Sequence, residues 1–143
     1  MKRTDRKSAC PINFFLEVVG DPWSLLILRD IVFSGKHTFK EFLASNERIT
    51  TSVLAARLAD LERHGILARE PHPTDGRRDN YVLTEKGLGL IPVMFDMMEW
   101  GTAHDPKSAG HRMQGFFEKL KKQRGPFIRR IVENVRSGGT AFD

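Results

Sequence analysis

The sequence predicts a mainly α-helical protein with one small β-hairpin. Helical spacing is clear from residue 50 onward, where Leu54, Leu58 and Leu61 would share one face of an amphipathic helix. Two strand-like runs follow, and the segment between them, Pro73 to Arg78, has the residues of a turn and ends in two arginines. A helix followed by a basic hairpin is the arrangement of a winged helix-turn-helix.

The helix that carries these leucines is the predicted recognition helix. The hydroxyl cluster Thr50-Thr51-Ser52 offers its N-cap, and Gly65 offers its stop. The face opposite the leucines carries Ser52, Ala56, Ala59 and Arg63, with Val53 and Arg57 on one flank. Small side chains would let the helix backbone approach another macromolecule closely. We therefore expect this helix to enter a DNA major groove and the hairpin to lie along the backbone or the adjacent minor groove.

Hydroxyl and basic residues near this surface are the candidate DNA contacts. They are Lys40, Thr50, Thr51, Ser52, Arg57, Arg77 and Arg78. A hydroxyl can serve a base edge or a phosphate, and arginine can make a bidentate contact to guanine. Asp60 and Glu62 would repel phosphate, so we expect only the first two turns of the helix to enter the groove. Alternatively, Thr50 and Thr51 only cap the helix, and Arg57 pairs with Asp60 or Glu41.

Three further helices are predicted before the recognition helix. Cys10-Pro11 opens a short apolar helix, and Asp21 with Pro22 should begin a second one that is apolar almost all round and therefore buried. The third, at about Phe39 to Leu43, completes the helix-turn-helix. Between the second and the third, His37-Thr38 is expected to form a short strand against the hairpin.

A long helix is predicted from Thr84 to about Trp100, and Pro92 inside it predicts a kink. Its apolar arc covers more than half of the circumference, so we expect it to pair two subunits. The predicted dimer interface comprises Phe14, Phe15, Leu88, Ile91, Phe95 and Met98. The alternative is that the C-terminal segment of the same chain covers the second face of this helix.

Charge is distributed unevenly along the 143 residues, although the net charge is +5. Residues 10–104 carry 10 Lys and Arg against 13 acids, so basicity lies in the two ends of the chain. We expect a flexible basic tail at 1–9, a winged-helix domain with its dimerisation helix at 10–101, and a helical extension with a disordered end at 102–143. A claim of DNA binding must therefore rest on the positions of the central charges and not on the net charge.

No catalytic or metal-binding constellation is present in the sequence. The five histidines lack ligand spacing, and no Gly-rich phosphate loop occurs, so we expect neither an enzyme nor a cofactor nor a metal. The apolar runs are too short to cross a bilayer, which predicts a cytoplasmic protein with no membrane partner. Cys10 is the single cysteine; at a helix N-terminus beside Arg6 and Lys7 it is a candidate redox site. The alternative is that Cys10 is a small buried side chain beside Phe14.

Several short motifs in one order resemble the HxlR-type winged-helix regulators of bacteria. They are Cys10-Pro11, Gly20-Asp-Pro-Trp23 leading into LLILRDI, Phe39-Lys-Glu-Phe-Leu43, Ile49-Thr through Leu61-Glu62, Gly65-Ile66-Leu67, Tyr81-Val-Leu-Thr84 with Gly87, Pro92-Val93 and Trp100-Gly101. The resemblance implies a homodimeric DNA-binding transcription factor, often a repressor, whose terminal helices pair the subunits. In some members of the family the N-terminal cysteine senses oxidants or electrophiles.

Two features depart from this family. Its wing usually leads into a Glu-Tyr pair, whereas here PTDGRRDNY gives Asn80-Tyr81. The stretch from about residue 105 onward lies outside the common core, so the resemblance says nothing about its role.

Two functional hypotheses follow. The first is a sequence-specific transcriptional regulator, a repressor by resemblance, that acts as a homodimer on a palindromic operator. Its partners would be double-stranded DNA, a second copy of the chain, and a small-molecule effector or oxidant, the latter acting through Cys10. The second is a winged-helix module that binds protein and does not bind DNA. The net negative charge of the central domain is consistent with this second hypothesis.

Overall fold

Helices make up most of residues 6–143, the part of the chain that the computed structural model describes. The elements in order are α1 (Pro11–Val19), α2 (Ser24–Ser34), α3 (Phe39–Leu43), α4 (Thr51–Arg63), β1 (Leu67–Pro71), β2 (Asp79–Leu83), α5 (Glu85–Leu88), α6 (Ile91–His104), a 3-10 turn (Ala109–Arg112), α7 (Gln114–Lys122) and α8 (Arg124–Arg136). The predicted mainly α fold with one hairpin is confirmed. Residues 1–5 of the predicted tail lie outside the described residues.

The central helix α2 is buried, as its apolar sequence predicts. Ile27, Leu28, Ile31 and Val32 all lie in the core. The helix begins at Ser24 and not at Pro22, because Asp21 closes a turn ahead of it: the Asp21 carboxylate accepts hydrogen bonds from the backbone N–H groups of Trp23 and Ser24, both at 2.8 Å. Asp21 thus satisfies free N–H groups at the start of this helix, although it stands outside it.

The helix-turn-helix consists of α3, the turn at residues 44–50, and α4. Thr38 and Glu41 form a reciprocal capping box at the start of α3. Thr50 caps α4, since its hydroxyl accepts a hydrogen bond from the Val53 N–H at 3.4 Å. Gly65, with a φ of 72°, ends the helix in the left-handed conformation that glycine adopts readily. Leu54, Leu58 and Leu61 are buried, which confirms the predicted core face of α4.

The hairpin pairs β1 and β2 in antiparallel register, with Leu67 opposite Leu83 and Pro71 opposite Asp79. His37 and Thr38 do not form the expected strand. A single backbone hydrogen bond, from the Tyr81 N–H to the His37 carbonyl at 2.8 Å, joins the start of α3 to the hairpin instead. The hairpin is therefore anchored to the helix-turn-helix from the side of β2.

The predicted long helix from Thr84 to Trp100 is two helices, α5 and α6, separated at Gly89 and Leu90. Pro92 lies in the first turn of α6, where its missing N–H leaves no helical hydrogen bond unmade, so it does not kink the helix. Pro92 therefore lies at the start of α6, and the predicted kink inside a longer helix is not present.

The C-terminal extension packs on α5 and α6 of its own subunit. The Phe116 ring lies edge-on between the rings of Phe95 and Phe127, at centroid distances of 5.4 and 5.1 Å. The last residues are ordered as well, because the Ala141 N–H donates to the Val32 carbonyl at 2.8 Å. The expectation of a disordered C-terminal end is therefore wrong.

This packing also corrects part of the predicted dimer interface. Leu88, Ile91 and Phe95 are buried in the core of the subunit itself and cannot contact a second subunit in this fold. The alternative, in which the C-terminal segment of the same chain covers the helix, holds for Phe95, whose ring packs against Phe116 of α7.

Within residues 6–143, no single helix is both long and apolar enough to cross a bilayer. The helices α1 and α2 taken together reach the required length and composition, but they are bent by 76° relative to each other.

Gly87 allows α5 to approach the start of the hairpin. A Cβ atom at this position would lie 2.3 Å from the Ile66 carbonyl oxygen and 2.9 Å from the Leu83 side chain. Gly87→Ala should therefore lower the free energy of unfolding by about 1–3 kcal/mol, measured by urea denaturation. Gly115→Ala is the matched control, because a Cβ there meets nothing within 4 Å and should raise stability by up to about 1 kcal/mol. Equal effects of the two changes would contradict this packing.

Candidate nucleic-acid interface

The exposed face of α4 is made of small and hydroxyl side chains. Thr51, Ser52, Ala55, Ala56 and Ala59 are all exposed, on the side opposite the buried leucines. None of them is charged, and the largest has only three side-chain heavy atoms. The first two turns of this helix therefore present a flat, uncharged surface to which a macromolecule can approach closely.

The three hydroxyl residues at the start of α4 have different surroundings. The Thr50 hydroxyl is engaged with the Val53 N–H, so the capping alternative applies to Thr50. The hydroxyls of Thr51 and Ser52 make no hydrogen bond within residues 6–143, and both residues are exposed. These two hydroxyls are thus available to an external donor or acceptor.

Basic side chains lie on α3 and on the hairpin, the two elements that pack against α4. Lys40 and Arg78 line one groove between the start of α3 and β2, together with Thr38, Phe39, Asp79 and Tyr81. The fold thus brings together two predicted DNA contacts that are 38 residues apart in sequence. The side chain of Arg77, at the hairpin turn, is 93% exposed.

Asp75 is the acidic residue nearest the two hairpin arginines. Its carboxylate lies 3.3 Å from Arg77 and 3.5 Å from Arg78. Hydrogen bonds from the Arg77 backbone and side chain lower the pKa of Asp75, with the charge of Arg78 acting in the same direction. Because such exposed ion pairs are worth little, both guanidiniums can exchange Asp75 for a phosphate.

Arg57 does not belong to the exposed face. Its guanidinium lies 2.6 Å from Asp60 and 3.5 Å from Asp21, which connects α4 to the start of α2. The pairing alternative therefore holds for Asp60 and fails for Glu41, which completes the cap of α3. Burial opposes the ionisation of Asp21, but hydrogen bonds from Ser24 and Trp23 and the charge of Arg57 outweigh it and lower the pKa of Asp21. Arg57 thus has a structural role, in which its ion pairs join α4 to the start of α2.

The acids in the later half of α4 are paired with arginines. Asp60 lies 2.9 Å from Arg63 in addition to its contact with Arg57, and Glu62 lies 2.8 Å from Arg69 on β1. These pairs offset part of the negative charge of Asp60 and Glu62, and the expected repulsion of phosphate by these two acids stays a prediction.

A polar network that sequence reasoning missed holds the turn between α3 and α4. Asp30 on α2 is 4% exposed and accepts hydrogen bonds from the Ser45 hydroxyl at 2.5 Å and from Arg29 at 2.8 Å. Lys36 donates to the same Ser45 oxygen at 2.8 Å. The signal that could have revealed it is a carboxylate inside the apolar run of α2, since a buried charge requires polar partners.

Glu47 extends this network from the turn. Both of its carboxylate oxygens accept hydrogen bonds from Arg29, at 2.6 and 2.8 Å. The hydrogen bond from Arg29 lowers the pKa of Glu47 to about 2, against a smaller opposing effect of burial. The same pairing raises the pKa of Arg29, so both groups stay charged over the usual pH range.

Large apolar side chains are exposed on two helices, α1 and α6. They are Ile12 and Leu16 on α1 and Met97 and Trp100 on α6, with exposed fractions of 71, 54, 49 and 69%. Of the other predicted interface residues, Phe14 is exposed, whereas Phe15 and Met98 are half-buried. Cys10 is exposed at the N-cap of α1, so the alternative in which it is a buried side chain is wrong.

Comparisons with known proteins agree on one family. Residues 18–109 match the model of the HxlR-like helix-turn-helix family. The HTH-type transcriptional regulator YybR of Bacillus subtilis is 32% identical over 116 residues, which cover 81% of this chain and 92% of YybR. The HTH-type regulator YdeP of the same organism is 34% identical over 68% of this chain and 76% of YdeP.

Solved structures give the same result. The crystal structure of PA1607 aligns with a TM-score of 0.65 and 36% identity, over 73% of this chain and 72% of PA1607. The redox regulator HypR in its oxidized form aligns with a TM-score of 0.60 and 34% identity, over 67% of this chain and 98% of HypR. Reduced YodB from B. subtilis aligns with a TM-score of 0.56 and 29% identity, over 71% of this chain and 99% of YodB.

The fold and the exposed face of α4 define a winged helix-turn-helix regulator of the DNA-binding class. The chain belongs to the HxlR-like helix-turn-helix family. Because the relatives are transcriptional regulators, the expectation that the chain is not an enzyme is confirmed.

The pairing of Glu47 with Arg29 makes stability depend on pH in a defined window. Glu47 has a lower pKa in the folded than in the unfolded chain, so its contribution is present above its ordinary pKa of 4.5 and is lost as the pH falls toward 2. The stability difference between wild type and Glu47→Gln should be constant above pH 4.5 and shrink below it, as measured by urea unfolding at pH 3 to 7. Glu118→Gln removes the same charge at an exposed glutamate without an ion pair among the described residues and is the control. A Glu47→Gln difference that does not change with pH would contradict the pairing.

Proposed function

We propose that this protein is a sequence-specific transcriptional regulator that places the first two turns of α4 in the DNA major groove. The observation that carries the proposal is the exposed face of α4, whose side chains are small and uncharged; two cations, Lys40 and Arg78, line a groove between α3 and β2. In this arrangement Thr51 and Ser52 contact base edges, and Lys40, Arg77 and Arg78 contact phosphates. The free N–H groups at the start of α4 favour a phosphate beside Thr50.

We further propose a homodimeric repressor of a palindromic operator, acting in the cytoplasm, where bacterial chromosomal DNA lies. Support comes from the exposed apolar surface of α1 and α6, because a patch of large apolar side chains is typical of a protein interface. A twofold dimer presents two recognition helices to two half-sites, which gives the operator its palindromic form. The proposal that the protein represses transcription, and does not activate it, rests only on the resemblance to this family.

Two substitutions test the DNA-binding surface. Ala56→Glu puts a negative charge on the exposed face of α4 and should abolish the gel shift of DNA from upstream of the protein's own gene, without a change in stability. Arg78→Ala removes a phosphate contact and should weaken binding to this DNA and to random DNA about equally, and reduce the salt dependence. Ala109→Glu, at an exposed position in the 3-10 turn, is the control for added charge.

The alternative is a winged-helix module that binds protein only. It predicts no specific shift at any salt concentration, for wild type and variants alike. A specific shift that Ala56→Glu leaves intact would show that another surface reads the DNA.

Exposed apolar residues on α1 and α6 should hold the dimer together. Trp100→Glu or Ile12→Glu should yield monomer in sedimentation, because each puts a charge into the proposed apolar interface. The same variants should lose binding to an operator with two half-sites. Ala109→Glu again serves as the control and should stay dimeric. Wild-type protein that sediments as a monomer at micromolar concentration would contradict the dimer.

Cys10 is the proposed site of redox modulation. Its thiol is exposed at the start of α1, next to the proposed dimer surface, and the chain is similar to HypR, which is a redox regulator. Native Cys10 should react with iodoacetamide, and oxidation should change operator affinity in wild type but not in Cys10→Ser. If Cys10→Ser responds to oxidant as wild type does, the redox role is refuted and the DNA-binding proposal is unaffected.

A further inference from the structure

A groove between the end of α7 and the start of α8 lies outside the part of the chain that matches the family. It is lined by Lys119, Lys122, Gln123, Pro126, Phe127 and Arg130. Lys119 and Lys122 are one turn apart on α7, and Pro126 and Arg130 are one turn apart on α8, so each pair shares one helix face. The groove thus combines three cations, one amide and an apolar floor.

The three cations of this groove are not neutralised by the surrounding protein. Among residues 6–143, none of them has a carboxylate within ion-pair distance. Most acids on the neighbouring helices are already occupied, because Asp96 and Glu99 bind Arg124 and Glu133 binds Arg136. Glu118 on α7 is exposed and is not within ion-pair distance of a groove cation. The groove therefore carries a local excess of positive charge that an anion from solution can offset.

The floor of the groove is aromatic and fixed in place. The Phe127 ring is 9% exposed and packs edge-on against Phe116, which itself packs against Phe95. The Arg130 guanidinium lies over the Phe127 ring, 5.8 Å from its centroid. A flat apolar group placed on Phe127 and Pro126 would therefore lie beside a guanidinium whose position is already set by a cation–π contact.

We propose that this groove binds a small organic anion with a flat apolar body, an aromatic carboxylate being the simplest example. Arg130 provides a planar donor pair for the carboxylate, Lys119 and Lys122 add point charges, and the exposed Pro126, beside the buried Phe127, receives the ring. A nucleic-acid backbone fits less well, because phosphates would leave the apolar floor unused. This site does not depend on the DNA interface proposed above.

Calorimetric titration of the 143-residue protein with 2-naphthoate and with the uncharged 2-naphthamide tests this proposal. Naphthoate should bind, and the amide should bind at least roughly tenfold more weakly, because it cannot use the cations. Arg130→Gln and Lys122→Gln should each lower the affinity for naphthoate by roughly tenfold and leave that for the amide unchanged. Arg112→Gln removes a cation from the same extension outside the groove and should change neither.

Several results would overturn the proposal. One is the absence of saturable naphthoate binding at millimolar concentration, and another is equal affinity for the acid and the amide. A third is an affinity for naphthoate that neither groove variant lowers, which would place the ligand on another apolar surface. Random-sequence DNA that competes with naphthoate, together with a loss of DNA affinity in Arg130→Gln, would make the groove a nucleic-acid contact instead. Lys119→Gln replaces either groove variant whose circular dichroism departs from wild type. An unaltered effect of Ala56→Glu on the gel shift would show that the DNA-binding proposal stands even if this one fails.

Discussion

The orientation of the recognition helix depends on one buried carboxylate. Asp30 lies on the buried helix α2, and the hydrogen bond that it accepts from the Ser45 hydroxyl ties the turn before α4 to this helix. Removing Arg29 would leave the buried carboxylate of Asp30 without its cation, a strongly unfavourable state, so the network favours a single position of the turn. Arg57, on α4 itself, makes a second contact of this kind through its ion pair with Asp21, which lies just before α2. Both contacts hold α4 in an orientation that leaves its small residues exposed.

The C-terminal extension changes how the subunit presents its apolar residues. The helices α7 and α8 pack on α5 and α6, where Phe116 contacts Phe95, and three residues of the predicted dimer interface, Leu88, Ile91 and Phe95, lie in the core of the subunit. The exposed apolar residues that are left lie on α1 and on the side of α6 that carries Met97 and Trp100. These residues form the surface proposed for dimerisation. The extension thus stabilises the subunit, restricts where a partner can bind, and adds a basic groove of its own.

The spacing of apolar residues along the sequence predicted much of this fold. The features that it missed depend on contacts between residues far apart in the sequence. The spacing of Leu54, Leu58 and Leu61 gave both faces of α4, because helical periodicity depends only on nearby residues. The sequence could not decide whether Arg57 binds DNA or an acid, since its second partner, Asp21, is 36 residues away. Likewise, hydrophobicity shows that α6 is apolar nearly all round but does not show which side α8 covers. The DNA contacts assigned to Thr51, Ser52, Lys40, Arg77 and Arg78 remain predictions.

Directed cleavage from the recognition helix would test the central claim most directly. An iron chelate that generates hydroxyl radicals can be attached to a single cysteine in a Cys10→Ser, Ser52→Cys protein, since Cys10 is the only native cysteine. If the first turns of α4 enter the major groove, cleavage should be confined to a few base pairs within each half-site of the bound DNA. The same chelate at Glu118→Cys, on α7, should give no such pattern. Equal cleavage from the two positions, or none from position 52 on DNA that is bound, would contradict the account.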